Sequence, residues 1–495
     1  MAAQIDMDNT WVLDGLKHVE PELAMVGALL VVILVDLTPL RRTTAFFAVA
    51  GLLVSSWLVC RHLAEPAHAV FRGAYSVDSY ANYFKLLFLG AGLIVALFSI
   101  PAIRDWQSGK GEFFALLLSS TFGMMLMAGA NDLLMMYLSL EFVSITSYIL
   151  AGFLRKNRKS AEASLKYIIY GAAASGFMIY GMTFLYGLTG TLHVREIGVQ
   201  LLQVSPQPTL TLITSVLIMA GFGYKIAAVP FHMWCPDVYE GSPTPVTAFF
   251  SVGPKAAGFA MLARFLQEVY RAEPGGSAFE WKLVIALLAV LTMAVGNFGA
   301  LQQQNLKRLL AYSSIAHAGY LLVAFVAFTP AARSALLFYL VIYVIMNLGA
   351  FLGVLVLEQK YGIETVDGCR GIGWRSPQLG AVMTIFLFAL TGLPPTAGFA
   401  GKFLVFSKVI EYGVDPTHGL GIALVVIALF FSVISLFYYM RIVAAMYLAK
   451  PADESAEEVS PGMIYGTLLW LLALGTVFFG VWWGPLQDLT AKATF

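Results

Sequence analysis

GFGYKIAAVPFHMWCPDVYEGSPTPVTAFFSVGPKAAGFA, residues 221–260, decides how the rest of the chain is read. An apolar helix arrives at Lys225, is interrupted by Pro230, Pro236, Gly241, Pro243 and Pro245, and resumes around Lys255. Proline removes a backbone donor and clashes with the preceding turn, so this run cannot be one continuous helix. Gly253, Ala256, Ala257 and Gly258 flank Lys255 and let a neighbouring helix come close. A lysine enclosed in this way is sealed from lipid. An ionisable side chain at mid-bilayer costs about 2.5–3.5 kcal/mol on insertion scales, so such a residue is functional by default.

The surrounding chain supplies the bilayer. Of 495 residues 59% are apolar and 12% are charged, 30 basic against 29 acidic, with a net charge of +1. A soluble chain carries roughly 25% charged residues, which excludes an ordinary soluble enzyme. The balanced charge and absence of a basic run exclude a nucleic-acid binder, and the apolar content excludes disorder. A span needs about 20 apolar residues, and about fourteen runs meet that measure. They are 22–40, 43–63, 79–100, 111–129, 131–154, 162–189, 209–229, 243–270, 280–300, 304–328, 331–357, 377–413, 418–449 and 462–485. In lipid every backbone polar group needs an internal partner, so runs of this length are helices, and the short alternating segments of a barrel are absent. The expected fold is an all-α polytopic membrane protein. The acidic start, with Asp6, Asp8, Asp14, Glu20 and Glu22, is unlike a signal peptide, so the first run reads as an uncleaved span.

Lys and Arg in short loops set the orientation. One side holds Arg41, Arg42, Arg104, Lys110, Arg155, Lys156, Arg158, Lys159, Lys307, Arg308, Lys360, Arg370, Arg375 and Lys450. The other holds the sparser set Lys17, Arg61, Arg72, Arg195, Arg271, Lys282, Arg333 and Lys492. The richer side is inside, which puts both termini outside. A second interrupted span follows the first by five spans: Gly392, Pro394, Pro395, Gly398 and Gly401 precede Lys402. Interrupted helices at corresponding places in two halves point to an internal repeat and a mid-membrane transport site, and an odd offset inverts the second copy.

The other buried charges were weighed in turn. Glu141 lies nine residues after Asp132, roughly 13 Å into its span, with Tyr137, Ser144 and Tyr148 on its face. Snorkelling to an interface explains Lys85 and Arg264, but not Lys225, Lys255 or Lys402. Lys166 has Glu162 one turn before it, so an interfacial ion pair accounts for it as well as function does. Lys307, Ala311, Ser314 and His317 make a polar stripe, in which His317 is either a proton relay or a hydrogen-bonded packing residue. His232 reads as loop and Asp36 as interfacial. Together these residues suit proton transfer through a hydrated interior. The chain has no P-loop, dinucleotide fingerprint, haem motif or metal cluster, and Cys60, Cys235 and Cys369 stand far apart, so the driving energy must come from a partner or an ion gradient.

Three stretches carry a resemblance: 221–260 above, LKRLLAYSSIAHAGY at 306–320, and LTGLPPTAGFAGKF at 390–403. The chain resembles, over essentially its whole length, the antiporter-like membrane subunits of respiratory complex I, the proton-pumping NADH–quinone oxidoreductase. The resemblance implies two inverted five-helix repeats, spans 4–8 and 9–13, each with a broken helix. The corresponding segments are 1–110, 111–270, 271–450 and 451–495. It implies that Glu141 pairs with Lys225, that Lys166, Lys255 and His317 continue the path, and that Lys402 ends it. The lysine at 402, where related paralogues tend to have a carboxylate, and the chain end at Phe495 without a lateral helix indicate one branch of the family. NADH, FMN, iron–sulfur clusters and quinone are then expected on partner subunits, with no cofactor on this chain. The expected setting is a bacterial inner membrane among other membrane and peripheral subunits, with periplasmic termini. The competing readings are a Mrp-type sodium/proton antiporter subunit, a membrane-bound hydrogenase subunit and a purely structural spacer.

Overall fold

Each apolar run becomes helical because the chain has no other way to satisfy its backbone in lipid. The computed structural model describes residues 10–493 apart from 64, 105, 107–108, 204–207, 271–280, 415–418 and 451–459. Asp6, Asp8 and Arg271 therefore lie outside the described residues, as do most of the 451–495 segment's first residues.

The chain begins with α1 (Thr10–His18) and α2 (Glu20–Asp36), bent by 80° at their junction. After α3 (Thr44–His62), a two-stranded antiparallel ribbon pairs β1 (His68–Val70) with β2 (Tyr75–Val77). Then follow α4 (Ser79–Ala102), α5 (Lys110–Gly129), α6 (Leu133–Ala151), α7 (Arg158–Thr189) and the short α8 (Val194–Gln203). The interrupted stretch is α9 (Pro208–Ile226) and α10 (Trp234–Gly241), succeeded by α11 (Thr244–Val269). The second half runs α12 (Trp281–Leu301), α13 (Leu306–Ala327), α14 (Pro330–Tyr361), a turn α15 (Ile372–Arg375), α16 (Pro377–Thr391), α17 (Ala397–Gly413), α18 (Leu420–Tyr447), α19 (Met463–Val481) and α20 (Gly484–Lys492).

Among the described residues twelve helices are long and apolar enough to cross a membrane, or thirteen if the α1–α2 pair is one span. The run 377–413 is not among them, because it divides into α16 and α17. Local chemistry sets several helix starts. Asp78 accepts from the Ala81 amide at 2.7 Å and Asp132 from the Met135 amide at 2.6 Å, each satisfying an otherwise orphaned N–H. Small residues set the closest approaches: a Cβ on Gly296 of α12 would lie 2.4 Å from the Ala316 amide nitrogen of α13.

Burial runs against a soluble protein's rule. The least apolar of the twelve helices, α11, is buried along its whole tested window, and α13 is nearly so. The most apolar, α18, is only one-third buried. Lipid favours an apolar exterior, so polar side chains are gathered onto the helices at the centre. The trend is not strict: α14 and α4 are strongly apolar and largely buried, and α7 is among the less apolar yet mostly unburied. The central trio α11, α13 and α14 positions the residues that matter below.

Candidate functional site

The two breaks are where the helical hydrogen-bond ladder stops. Between α9 and α10 Ala227 has φ +58, and between α16 and α17 Gly392 has φ +92; each break also contains a cis X–Pro bond, Val229–Pro230 and Pro394–Pro395. A helix that stops leaves its last carbonyls without intrahelical donors and with a partial negative charge. At the second break this is used directly. The Lys402 ammonium donates to the Leu390 carbonyl at 3.2 Å, to the Thr391 carbonyl at 2.7 Å and to Ser432 Oγ at 3.0 Å, and lies 4.6 Å above the Tyr320 ring.

At the first break the acceptor comes from another helix. Lys225, the penultimate residue of α9, is buried and donates to Ser144 Oγ of α6 at 3.1 Å. Glu141 stands three residues before Ser144, midway along α6, half-buried, with its Oε1 enclosed and without a hydrogen-bond partner. Among the described residues no ion pair joins Glu141 to Lys225, so the pair implied by the family resemblance is not a direct contact; Lys225 instead meets the hydroxyl of Ser144, on the same helix as Glu141. A hydroxyl both donates and accepts, which a carboxylate clamp does not.

Lys255 lies inside α11 and donates to Ser314 Oγ of α13 at 2.6 Å, with the Tyr239 ring centroid 5.6 Å away. Cys235 Sγ approaches the same Ser314 hydroxyl at 3.9 Å. One turn further along α13 is His317. Its Nδ1 meets Tyr339 OH at 2.7 Å and its Nε2 meets Tyr439 OH at 3.4 Å, so both ring nitrogens face hydroxyls. Tyr439 OH in turn bonds Ser313 Oγ. Lys307, at the start of the stripe, donates to the Ser242 carbonyl at 3.2 Å.

Lys166 is different. It is partly exposed and bonded to two carboxylates, Glu162 at 2.8 Å and Asp237 at 2.6 Å. Arg308 joins from α13, 2.5 Å from Asp237 and 3.3 Å from Glu240. The group lines an open cavity of about 210 Å³. Lys166 and Arg308 both give the Asp237 carboxylate a hydrogen bond and a counter-charge. The interfacial pair read from the sequence is thus present, enlarged by Asp237, Glu240 and Arg308, which the sequence did not single out.

Two sequence readings are corrected. Lys85 and Arg264 do not snorkel. Lys85 is fully enclosed and pairs with Glu22 at 2.7 Å, while Tyr75 OH donates to the same Glu22 oxygen at 2.6 Å. Arg264 is buried and holds Asp78 with two bonds of 2.9 and 3.0 Å. Each charge finds a partner within the bundle, so neither needs the interface. His232 does fall in the break, yet it is buried, with Nδ1 unpartnered among the described residues. Asp36 lies against Gly111 at the start of α5.

A distinction emerges that sequence reasoning missed. Lys85, Lys166, Arg264 and Arg308 are all matched to carboxylates. Among the described residues Lys225, Lys255 and Lys402 meet hydroxyls, carbonyls and aromatic rings and no carboxylate within ion-pair distance. Ser144 and Ser314 were visible on the right helix faces; Ser432, Tyr339 and Tyr439 carried no signal. Among the described residues no group of three or more His, Cys, Asp or Glu could hold a metal, and the three cysteines are free.

Residues 130–474 match the family described as NADH:quinone oxidoreductase/Mrp antiporter, transmembrane. A relative from Sorangium cellulosum named NADH-quinone oxidoreductase subunit N 2 is 43% identical over 497 residues, covering 97% of each chain. A chain of respiratory complex I from Thermus thermophilus superposes with a TM-score of 0.77 at 32% identity, over 95% of this chain and 99% of that one. A chain of the Mrp complex from Dietzia shares the fold, with a TM-score of 0.82 at 20% identity over 96% of each chain.

Proposed function

The chain belongs to the NADH:quinone oxidoreductase/Mrp antiporter membrane family, and on that premise we propose how it works as a proton-translocating membrane subunit of an NADH–quinone oxidoreductase of the complex I type. Its partners are the other subunits of that complex. NADH, FMN, the iron–sulfur clusters and the quinone reside on those partners, and this chain carries the proton-moving part alone. It sits in a bacterial inner membrane with periplasmic termini and fourteen spans, of which α9–α10 and α16–α17 are the broken seventh and twelfth. Spans 4–8 and 9–13 form two inverted repeats.

The path runs from Glu141 through Ser144 to Lys225, then by Lys255 and Ser314 to His317, and ends at Lys402. Lys166 serves at the inner rim. The single observation that carries this reading is the row of three buried lysines held by neutral acceptors. A lysine locked to a carboxylate keeps its proton. One held by a hydroxyl or carbonyl in an apolar surround exchanges it, because the charged form has lost its hydration and gained no counter-charge. A carboxylate moving nearer or further then shifts that balance, and moving one charge across 100 mV requires about 2.3 kcal/mol, within reach of such shifts. Lys402 favours this reading over a Mrp-type antiporter, since related antiporter-like subunits tend to have a carboxylate there.

The test is Lys225→Ala in membranes carrying the whole complex, with assembly checked on a native gel. NADH–quinone turnover and proton pumping should both fall by at least about tenfold, equivalent to roughly 1.4 kcal/mol on the barrier. Full pumping by an assembled complex would make Lys225 structural and remove the central step.

A further inference from the structure

A path that reaches Lys225 from the Lys166–Asp237 cavity has to pass a layer of aromatic side chains. We infer that the hydroxyls of Tyr148 and Tyr224, converging on Gly171, are the closed passage through which protons move between that cavity and Lys225. This rests on the function proposed above and adds three residues to it.

The geometry starts at the Lys/Arg-rich end, where Lys159, Glu162, Lys166, Asp237, Glu240 and Arg308 line the cavity. From Lys166, α7 descends into the bundle, and Gly171 lies five residues on, roughly 7.5 Å deeper. A Cβ at Gly171 would stand 1.8 Å from Tyr148 OH and 2.6 Å from Tyr224 OH, so both phenol oxygens occupy the space that Gly171 leaves open on α7. Tyr224 OH donates to the Tyr167 carbonyl at 3.1 Å. Tyr148 is buried, and its hydroxyl makes no close hydrogen bond among the described residues, although the Tyr224 and Ser144 hydroxyls lie near enough to interact with it.

On the deeper side the connection is short. Tyr148 is one turn beyond Ser144 on α6, and Ser144 accepts from Lys225. Tyr224 is the chain neighbour of Lys225. On the shallower side Tyr167 stacks on Trp234 at 4.4 Å and 17°, and meets Tyr148 edge-on at 5.0 Å. These rings shut out a continuous water column. A buried hydroxyl without a close hydrogen bond is a natural seat for a transient water, which needs two to four polar neighbours; Tyr148 OH, Tyr224 OH and the Tyr167 carbonyl supply three. A small shift of the Tyr148 ring opens room over Gly171 for that water while the Tyr148 hydroxyl stays within its reach. The proton then passes by exchange along hydroxyl and water oxygens, each releasing one proton as it takes another, so no group is left changed.

The experiment uses the whole complex in membranes, with Tyr148→Phe, Gly171→Ala and Lys225→Ala side by side, assayed for assembly, proton pumping, and turnover in H₂O and D₂O. Tyr148→Phe keeps the ring and removes only the oxygen. It should assemble, lose turnover and pumping several-fold, and show a larger solvent isotope effect, because proton delivery becomes rate-limiting. Gly171→Ala should do the same by displacing Tyr148; if it fails to assemble, Tyr148→Phe decides alone. Wild-type turnover in Tyr148→Phe beside an inactive Lys225→Ala would overturn the passage and leave the path standing. A slower Tyr148→Phe with an unchanged isotope effect would reduce Tyr148 to packing and equally overturn it. Full activity in Lys225→Ala would remove the underlying function instead.

Discussion

A buried lysine is defined by what accepts from it. Lys225 and Lys255 meet serine hydroxyls 81 and 59 positions away in sequence, and Lys402 meets the carbonyls of an interrupted helix. Gly392 makes the last arrangement possible, since its φ of +92 ends α16 where those carbonyls face Lys402. A Cβ there would lie 2.9 Å from Lys402 Cδ, and an L side chain at left-handed φ costs about 1–2 kcal/mol. Gly392→Ala should therefore lower the stability of the assembled complex by about that amount and bring NADH–quinone turnover down to the level of Lys402→Ala. Full turnover would show that the lysine's position is not critical. The lysines themselves were legible as charges inside apolar runs. Their acceptors were not, because no local periodicity links residues on different helices.

At the scale of elements, the breaks were legible from Pro and Gly, and both fall between helices as expected. The clamp between α2 and α4 was not. Glu22 looked like part of an acidic leader and Lys85 like an anchor, yet they form an enclosed ion pair with Tyr75. Removing one partner of such a pair leaves an uncompensated charge and costs about 3–5 kcal/mol, whereas replacing both with apolar side chains is often neutral. Lys85→Met should sharply lower the thermal midpoint of the complex. Glu22→Met with Lys85→Met should restore most of it, since Tyr75 OH keeps the Met125 carbonyl as acceptor at 3.1 Å. Turnover per assembled complex should stay near wild type in both. If the double variant is as unstable as the single one, the pair is not the clamp.

For the whole molecule, cations paired with carboxylates stand apart from lysines held by neutral acceptors, and under the proposed function that bears on what is moved. Carboxylate-paired cations at the rims tie helices together, and the central row on α11, α13 and α17 is free of carboxylates among the described residues. Such a row suits protons, which need only hydroxyls and amines, and offers no carboxylate-rich cage for a hard cation. NADH-driven pumping in vesicles should accordingly keep its rate and extent when sodium is replaced by potassium. A requirement for sodium would favour the antiporter reading.

Composition and run length by themselves determined an all-α membrane bundle, because lipid leaves the backbone one solution for long apolar segments. They also located the interruptions at 225–245 and 392–402, since Pro and Gly act on their own local turn. Only the tertiary structure decided which charges meet carboxylates and which meet neutral acceptors. It set Lys85 and Arg264 against carboxylates, gave Lys225, Lys255 and Lys402 neutral acceptors, and left Lys225 on the Ser144 hydroxyl. The reason is physical: a charge's environment in a bundle is set by helices distant in sequence, and the hydropathy that places a helix in the membrane does not say which neighbour its polar face will meet.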